Sequence, residues 1–235
     1  ESLIYNEAYT GLKSNRILGI DMNPNYIGVS VIEFDKNDEF KVLHKEVFDL
    51  TLLTKPSGES TKHKKSKYYT NKLKHETLVI AHRINKLVDY WKCSKLAIED
   101  LSIKPKDQKK GKSINRLCNN KWERSLFVNK LKMLAGIHRY ELVEVNPAYS
   151  SIVGNFAYGS PTTPDMVAAS IEIARRAYKK FEKGWFYPRF NISHINERWK
   201  QTLCGVKSWK TLFPKVKEMK LKYRFLLVDY AHNAV

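Results

Sequence analysis

The chain has 235 residues, 42 Lys or Arg against 24 Asp or Glu, and a formal charge of +18 at neutral pH. With 43% hydrophobic and 12% aromatic residues it can bury a core, which excludes a disordered chain. No run approaches the roughly 18 apolar residues of a membrane span, so the excess of positive charge points to nucleic acid rather than to a membrane. The three cysteines, Cys93, Cys118 and Cys204, are far apart and form no Cys-x-x-Cys pair. They exclude a disulfide framework and a zinc ribbon and fit a reducing compartment. Without an initiator Met or a signal segment, the sequence reads as a domain of a longer protein.

In chain order, Ile17 to Asp21 and Tyr26 to Phe34 are β-rich runs joined by the turn Asn23-Pro24-Asn25, which predicts a hairpin. Phe40 to Leu50 follows after Asp35-Lys36-Asn37-Asp38 and completes a three-stranded meander. Residues 54–74, with Pro56, Gly58 and seven lysines from Lys55 to Lys74, read as a basic loop. Ile80, Ile84, Leu87, Val88 and Trp91 then mark one face of a helix. Leu96 to Glu99 is a short strand, and a second basic loop covers residues 102–118. A helix over Asn119–Ile137, with Trp122, Leu126, Leu131 and Leu134 inward, leads to the strand Tyr140–Val145. Thr163 as N-cap, Pro164 at the first helical position and Asp165 in the first turn open a helix to Glu182. Residues 185–235 are aromatic and basic, with helices expected near 194–203 and 215–224. The order β-β-β-α-β-α-β-α gives an α/β fold with a mixed five-stranded sheet flanked by helices. It divides the chain into a domain over 1–184 and a C-terminal extension over 185–235.

Three carboxylates fall at element ends: Asp21 after the first strand, Glu99 after the fourth, Asp165 at the helix start. If the first and fourth strands are neighbours, Asp21 and Glu99 meet at one edge and the helix start brings Asp165 opposite. Such a group repels itself unless a cation sits within it, and Mg2+ or Mn2+ is the hard, oxygen-seeking choice. Two such ions about 4 Å apart would serve phosphodiester hydrolysis. Taken singly, a strand-end Asp is a cap or a solvated group, and Asp165 is explained by the helix dipole; only the three together in a basic chain favour metal. Asp100 points to the other face by strand alternation. His82 and His138 read as packing or surface residues, and Cys93 and Cys118 as buried thiols. No G-x-x-x-x-G-K-[ST] loop exists, which excludes a P-loop ATPase.

The two basic loops are either solvated faces or contacts that track a nucleic-acid backbone. The candidate contacts are Lys62, Lys64, Lys65, Lys67, Lys104, Lys106, Lys109, Lys110, Lys112 and Arg116. Tyr68 and Tyr69, beside the first lysine group, are candidates for stacking on unpaired bases, as are Trp185, Phe186 and Tyr187. Trp122 fits a core stripe instead.

GIDMNPNYIGVSVIE (19–33) resembles the first motif of the RuvC-like nuclease domain in transposon-encoded TnpB proteins, and KLAIEDLSIK (95–104) resembles the second. NNKWERSLFVNKLKMLAGIHRYELVEVNPAYSS (119–151) is similar to the segment that follows, and PDMVAASIEIARRA (164–177) to the third motif. The likeness spans about residues 15–182 and implies an RNase H-like (RuvC) fold, akin to compact type V CRISPR effectors. It implies a Mg2+- or Mn2+-dependent, RNA-guided DNA endonuclease with Asp21, Glu99 and Asp165 as catalytic metal ligands. DNA would be the target, with guide RNA held by other parts of a full-length protein in the cytoplasm of a bacterium or its mobile elements, at the nucleoid. Most members carry a four-cysteine zinc ribbon between the second and third motifs; here Ile152, Val153, Gly154 and Asn155 occupy that region. Three other functions stay open: a non-cleaving nucleic-acid-binding regulator, a Holliday-junction resolvase, and an actin-like kinase, the last disfavoured by Asn23-Pro24-Asn25 where Gly-rich phosphate hairpins are needed.

Overall fold

The computed structural model describes residues 11–23, 25–51, 67–100, 124–160, 162–180, 182 and 200–219. Strands β1 (Lys13–Met22), β2 (Tyr26–Phe34) and β3 (Phe40–Asp49) form the expected meander. Asn23 Oδ1 accepts the Asn25 amide at 3.0 Å in the first turn, and Asp35 Oδ1 accepts the Asn37 and Glu39 amides in the second. Helix α1 (Lys67–Trp91) leads into β4 (Cys93–Glu99), and α2 (Arg124–His138) into β5 (Glu141–Val145). Lys92 and Arg139 adopt left-handed backbone, φ 54° and 58°, and turn each helix end into the following strand. Strand β4 runs parallel to both β1 and β5, giving the order β3-β2-β1-β4-β5. Helices α3 (Ser150–Tyr158), α4 (Asp165–Tyr178) and α5 (Trp209–Glu218) follow.

Strand alternation gives the sheet two apolar faces. Leu18, Ile20, Val29, Val31, Leu96 and Ile98 pack under α1 and α2. Ile17, Ile32, Phe34, Ala97, Val143 and Val145 pack under α4. An antiparallel meander extended by two parallel strands, with helices on both faces, is the RNase H-like (RuvC) arrangement. A third cluster joins Ile152, Val153 and Phe156 of α3 to Leu203, Val206, Trp209, Leu212 and Val216, so α5 packs on the outside of α3.

Several boundaries differ from the sequence reading. The basic segment ends earlier than residue 74, because α1 already begins at Lys67. Leu73 and Thr77 extend its buried stripe, Thr77 Oγ1 donating to the Leu73 carbonyl at 2.7 Å, and lysine is itself a good helix former. In α2 the buried residue is Phe127, with Leu126 only half-buried. Pro164, not Thr163, is the N-cap of α4, since the Thr163 hydroxyl is engaged by Lys45 and Ser160, each at 2.8 Å. Helix α4 ends at Tyr178 rather than near Glu182. Helix α3 was not expected, and the C-terminal helix spans 209–218 because a Ser208–Thr211 capping box starts it there. Trp122, Trp185, Phe186, Tyr187 and Cys118 lie outside the described residues.

Helix α4 rests directly on backbone. A Cβ on Gly19 would lie 2.1 Å from the Ser170 carbonyl oxygen, and one on Gly28 would lie 2.3 Å from that of Met166. Neither contact has a flexible side chain that could move aside. Gly136, exposed in the last turn of α2, would meet nothing within 4 Å. Gly19→Ala is therefore expected to lose about 3 kcal/mol in urea unfolding. Gly136→Ala should gain up to about 0.5 kcal/mol, less than the full interior helix propensity difference because it lies in the last turn.

Candidate active site

The parallel register pairs Ile20 with Ile98, so Asp21 and Glu99, the next residues, stand side by side where β1 and β4 end. Alternation places both on the α4 face, in line with Ile17 and Ala97. Glu99 is buried, 8% exposed, and its Oε1 accepts a 2.5 Å hydrogen bond from the Ser150 hydroxyl. Burial raises its pKa above the ordinary carboxylate value, an effect only partly offset by Ser150 and the positive charges of Arg176 and Arg124. Asp21 keeps some exposed surface but is raised well above the ordinary value, first by desolvation and then by the negative charge of Glu99. Among the described residues no hydrogen-bond donor reaches its carboxylate.

Asp165 opens α4. The carbonyl of the next residue, Met166, sits over Gly28, and Gly28 is the cross-strand partner of Asp21. The helix start thus lies against the strand pair that carries Asp21. Asn155 Nδ2 donates to the Asp165 carbonyl at 3.4 Å, while Asn155 Oδ1 is buried with no hydrogen-bond partner among the described residues. The structure brings Asp21 and Glu99 together and sets Asp165 at the adjoining helix end. Among the described residues no three His, Cys, Asp or Glu side chains form a group able to hold an ion. The three expected carboxylates are therefore not gathered into one group: Asp21 and Glu99 are adjacent, and Asp165 stands at the neighbouring helix end. The pair fits a hard divalent cation: two enclosed carboxylates, one of them without a donor, gain most from a positive charge between them.

The remaining candidates fall elsewhere. Asp100 is exposed, and its amide bonds the Val145 carbonyl. His82 is exposed, and His138 approaches Asp89 at 3.3 Å. Cys93 is buried and its thiol is pushed up to about 12 by desolvation, whereas Cys204 is exposed. Lys67, Tyr68 and Tyr69 belong to α1. Lys62, Lys64, Lys65, Lys104, Lys106, Lys109, Lys110, Lys112 and Arg116 lie outside the described residues.

Sequence reasoning missed Ser150 and a buried charge cluster behind it. Glu172, fully buried, accepts from Arg175 Nε at 2.8 Å and from Arg176 Nε at 2.7 Å. Arg176 Nη1 donates to the Asn146 and Ala148 carbonyls at 2.7 and 3.0 Å. The i+3 and i+4 spacing of the two arginines from Glu172 was a usable signal. Ser150 carried none, because its role depends on a contact 51 residues away in sequence.

No protein-family model matches the chain, and no curated protein matches it. Among solved structures it is similar to Thermus thermophilus RuvC in complex with Holliday junction substrate, at 12% identity and a TM-score of 0.42, covering 70% of this chain and 94% of that one. It is also similar to the yeast mitochondrial Holliday junction resolvase Ydc2, at 13% identity and a TM-score of 0.40, covering 74% and 82%. A Ppx/GppA family member from Aquifex aeolicus aligns at 12% identity and a TM-score of 0.33, covering 60% and 38%.

The raised carboxylates give a pH-dependent prediction. An acid whose pKa is higher in the folded state binds more protons there, so stability falls as pH rises from the unfolded toward the folded value. Asp21→Asn is isosteric and uncharged. In metal-free buffer at pH 7 it should raise the melting temperature by about 2–4 °C, the shift of about 1 kcal/mol in a chain of this size. The gain should vanish below about pH 4, where the wild-type carboxyl is protonated in both states.

Proposed function

We propose that the chain is the metal-dependent DNA endonuclease domain of a TnpB-like, RNA-guided protein, hydrolysing phosphodiester bonds by a two-ion mechanism. The observation that carries this reading is the Asp21–Glu99 pair at adjacent parallel strand ends, both raised in pKa, with the start of α4 seated against it. The positive charge of the chain favours a polyanionic substrate. The ordered motifs around Asp21, Glu99 and Asp165 favour the RNA-guided class, working in the cytoplasm at the nucleoid with guide RNA held by other parts of the protein. Among the described residues no helix is long and apolar enough to cross a membrane.

Asp21 and Glu99 would hold Mg2+ or Mn2+, with Asp165 approaching from the helix end. A divalent ion bound there supplies Lewis-acid activation of water and neutralises charge on the phosphate. The protein's own contribution is positional. Ser150 fixes one Glu99 oxygen, and the rigid ends of β1 and β4 set the spacing of the two carboxylates. The N-terminus of α4 adds a positive dipole end beside them, suited to an approaching phosphate.

The test is cleavage of labelled DNA by the full-length protein with its co-purifying RNA, in Mg2+ and in EDTA. Asp21→Asn, Glu99→Gln and Asp165→Asn should each lower cleavage at least about a thousand-fold, a barrier increase of about 4 kcal/mol. Each should leave DNA affinity within about three-fold. Binding without cutting in any metal would replace this reading with the regulator, and cleavage confined to four-way junctions would replace it with the resolvase. The exposed lysines beside and on α5, Lys207, Lys210, Lys215 and Lys217, supply a basic face for the duplex backbone. Replacing all four by Gln should weaken binding uniformly across sequences and flatten its salt dependence by about one log-log slope unit per lost phosphate contact.

A further inference from the structure

We infer that Ser150, held in place by Arg176, is the positioning residue that sets Glu99 for cation binding. The inference rests on the reading of Asp21 and Glu99 as metal ligands and adds a second layer to it.

The turn between β5 and α3 is fixed from three sides. Asn146 Oδ1 accepts the Ala148 amide at 2.8 Å, and Arg176 Nη1 grips the Asn146 and Ala148 carbonyls on either side of Pro147. The Tyr149 ring packs edge-on against Phe213 of α5, with centroids 5.3 Å apart. Tyr149 itself is left-handed, φ 62°, a conformation a bulky residue keeps only when its surroundings impose it. That kink delivers Ser150, 3% exposed, with its hydroxyl 2.5 Å from Glu99 Oε1. Arg176 is in turn anchored by Glu172 at 2.7 Å and is 1% exposed. The path from Glu172 through Arg176, the turn carbonyls and Ser150 to Glu99 is continuous, buried at both ends and partly exposed at the turn. It fixes the rotamer of a carboxylate that would otherwise be free to turn away from Asp21. Outer residues that orient a ligand in this way are commonly worth 10- to 100-fold in metal affinity.

The experiment is Mn2+ titration of the full chain, followed by thermal melting in the absence of nucleic acid, with Asp21→Asn as the control for the site itself. Ser150→Ala should raise the half-saturating Mn2+ concentration about ten-fold, with the metal-free melting temperature lower only by the few degrees expected for one lost buried hydrogen bond. Ser150→Thr, which restores the hydroxyl, should recover the affinity to within about three-fold. Arg176→Lys keeps the charge but loses the fork across the turn, and should weaken Mn2+ binding to a similar degree as Ser150→Ala. Unchanged Mn2+ affinity in Ser150→Ala, with binding abolished in Asp21→Asn, would overturn the positioning role and leave the metal site standing. A lower metal-free melting temperature in Arg176→Lys with unchanged Mn2+ affinity would overturn the part assigned to Arg176. Mn2+ binding that survives Asp21→Asn intact, or is absent from the wild type, would overturn the site and this inference with it.

Discussion

Everything at the candidate site is set by how closely α4 lies on the sheet. Gly19 and Gly28 remove the two side chains that would hold the helix off, and Gly154 does the same where α3 meets Ala168. With backbone against backbone on both sides, α4 has little freedom to slide or rotate. Its polar residues are therefore delivered to fixed places: Asp165 at the strand ends, Glu172 under Tyr158, Arg176 under the turn after β5. Small residues at Ala168, Ala169 and Ala174 continue this contact along the helix.

The buried charges are arranged in two opposed groups. Asp21 and Glu99 carry excess negative charge at the sheet edge, and neither finds a cationic side chain within ion-pair distance among the described residues. Behind them, Arg175 and Arg176 both pair with the buried Glu172 in the α3–α4 layer. Arg176, together with Arg124, acts on Glu99 at a distance and eases, without cancelling, the cost of its burial. A fold seeking stability alone would have paired Glu99 directly with an arginine, since a buried carboxylate without a counter-ion is costly.

Much of the scaffold was legible in the sequence because each feature was local. The first hairpin is written in a β-rich run, an Asn-Pro-Asn turn and a second run, which sets the strand end at Asp21, and the short run Leu96 to Glu99 sets the other. What escaped depended on distant contacts or on composition that masks pattern. The lysines of Lys67–Lys74 hid the first turns of α1, whose stripe is visible only once Leu73 and Thr77 are read with Ile80. Helix α3 is short, contains Gly154 and follows a residue in left-handed backbone, so no ordinary start signal marks it. Its apolar residues, Ile152, Val153 and Phe156, make sense only with the cluster from residues 203–216 that covers them.

That covering cluster also bears on the chemistry. Helix α3 is held from within by Gly154 against α4 and from without by Trp209 and Leu212, and its first residue is the one that bonds Glu99. A stretch of this kind can be secured by metal ligation or by apolar packing. Here an apolar layer occupies the same stretch, with the Phe156 and Trp209 rings meeting edge to face at 5.0 Å. Metal ligation gives rigidity through a few strong bonds, whereas an apolar layer distributes it over many weak contacts and needs a second segment to supply the other half. The segment from 200 to 219 is therefore part of what holds α3, the helix that begins at Ser150, in place.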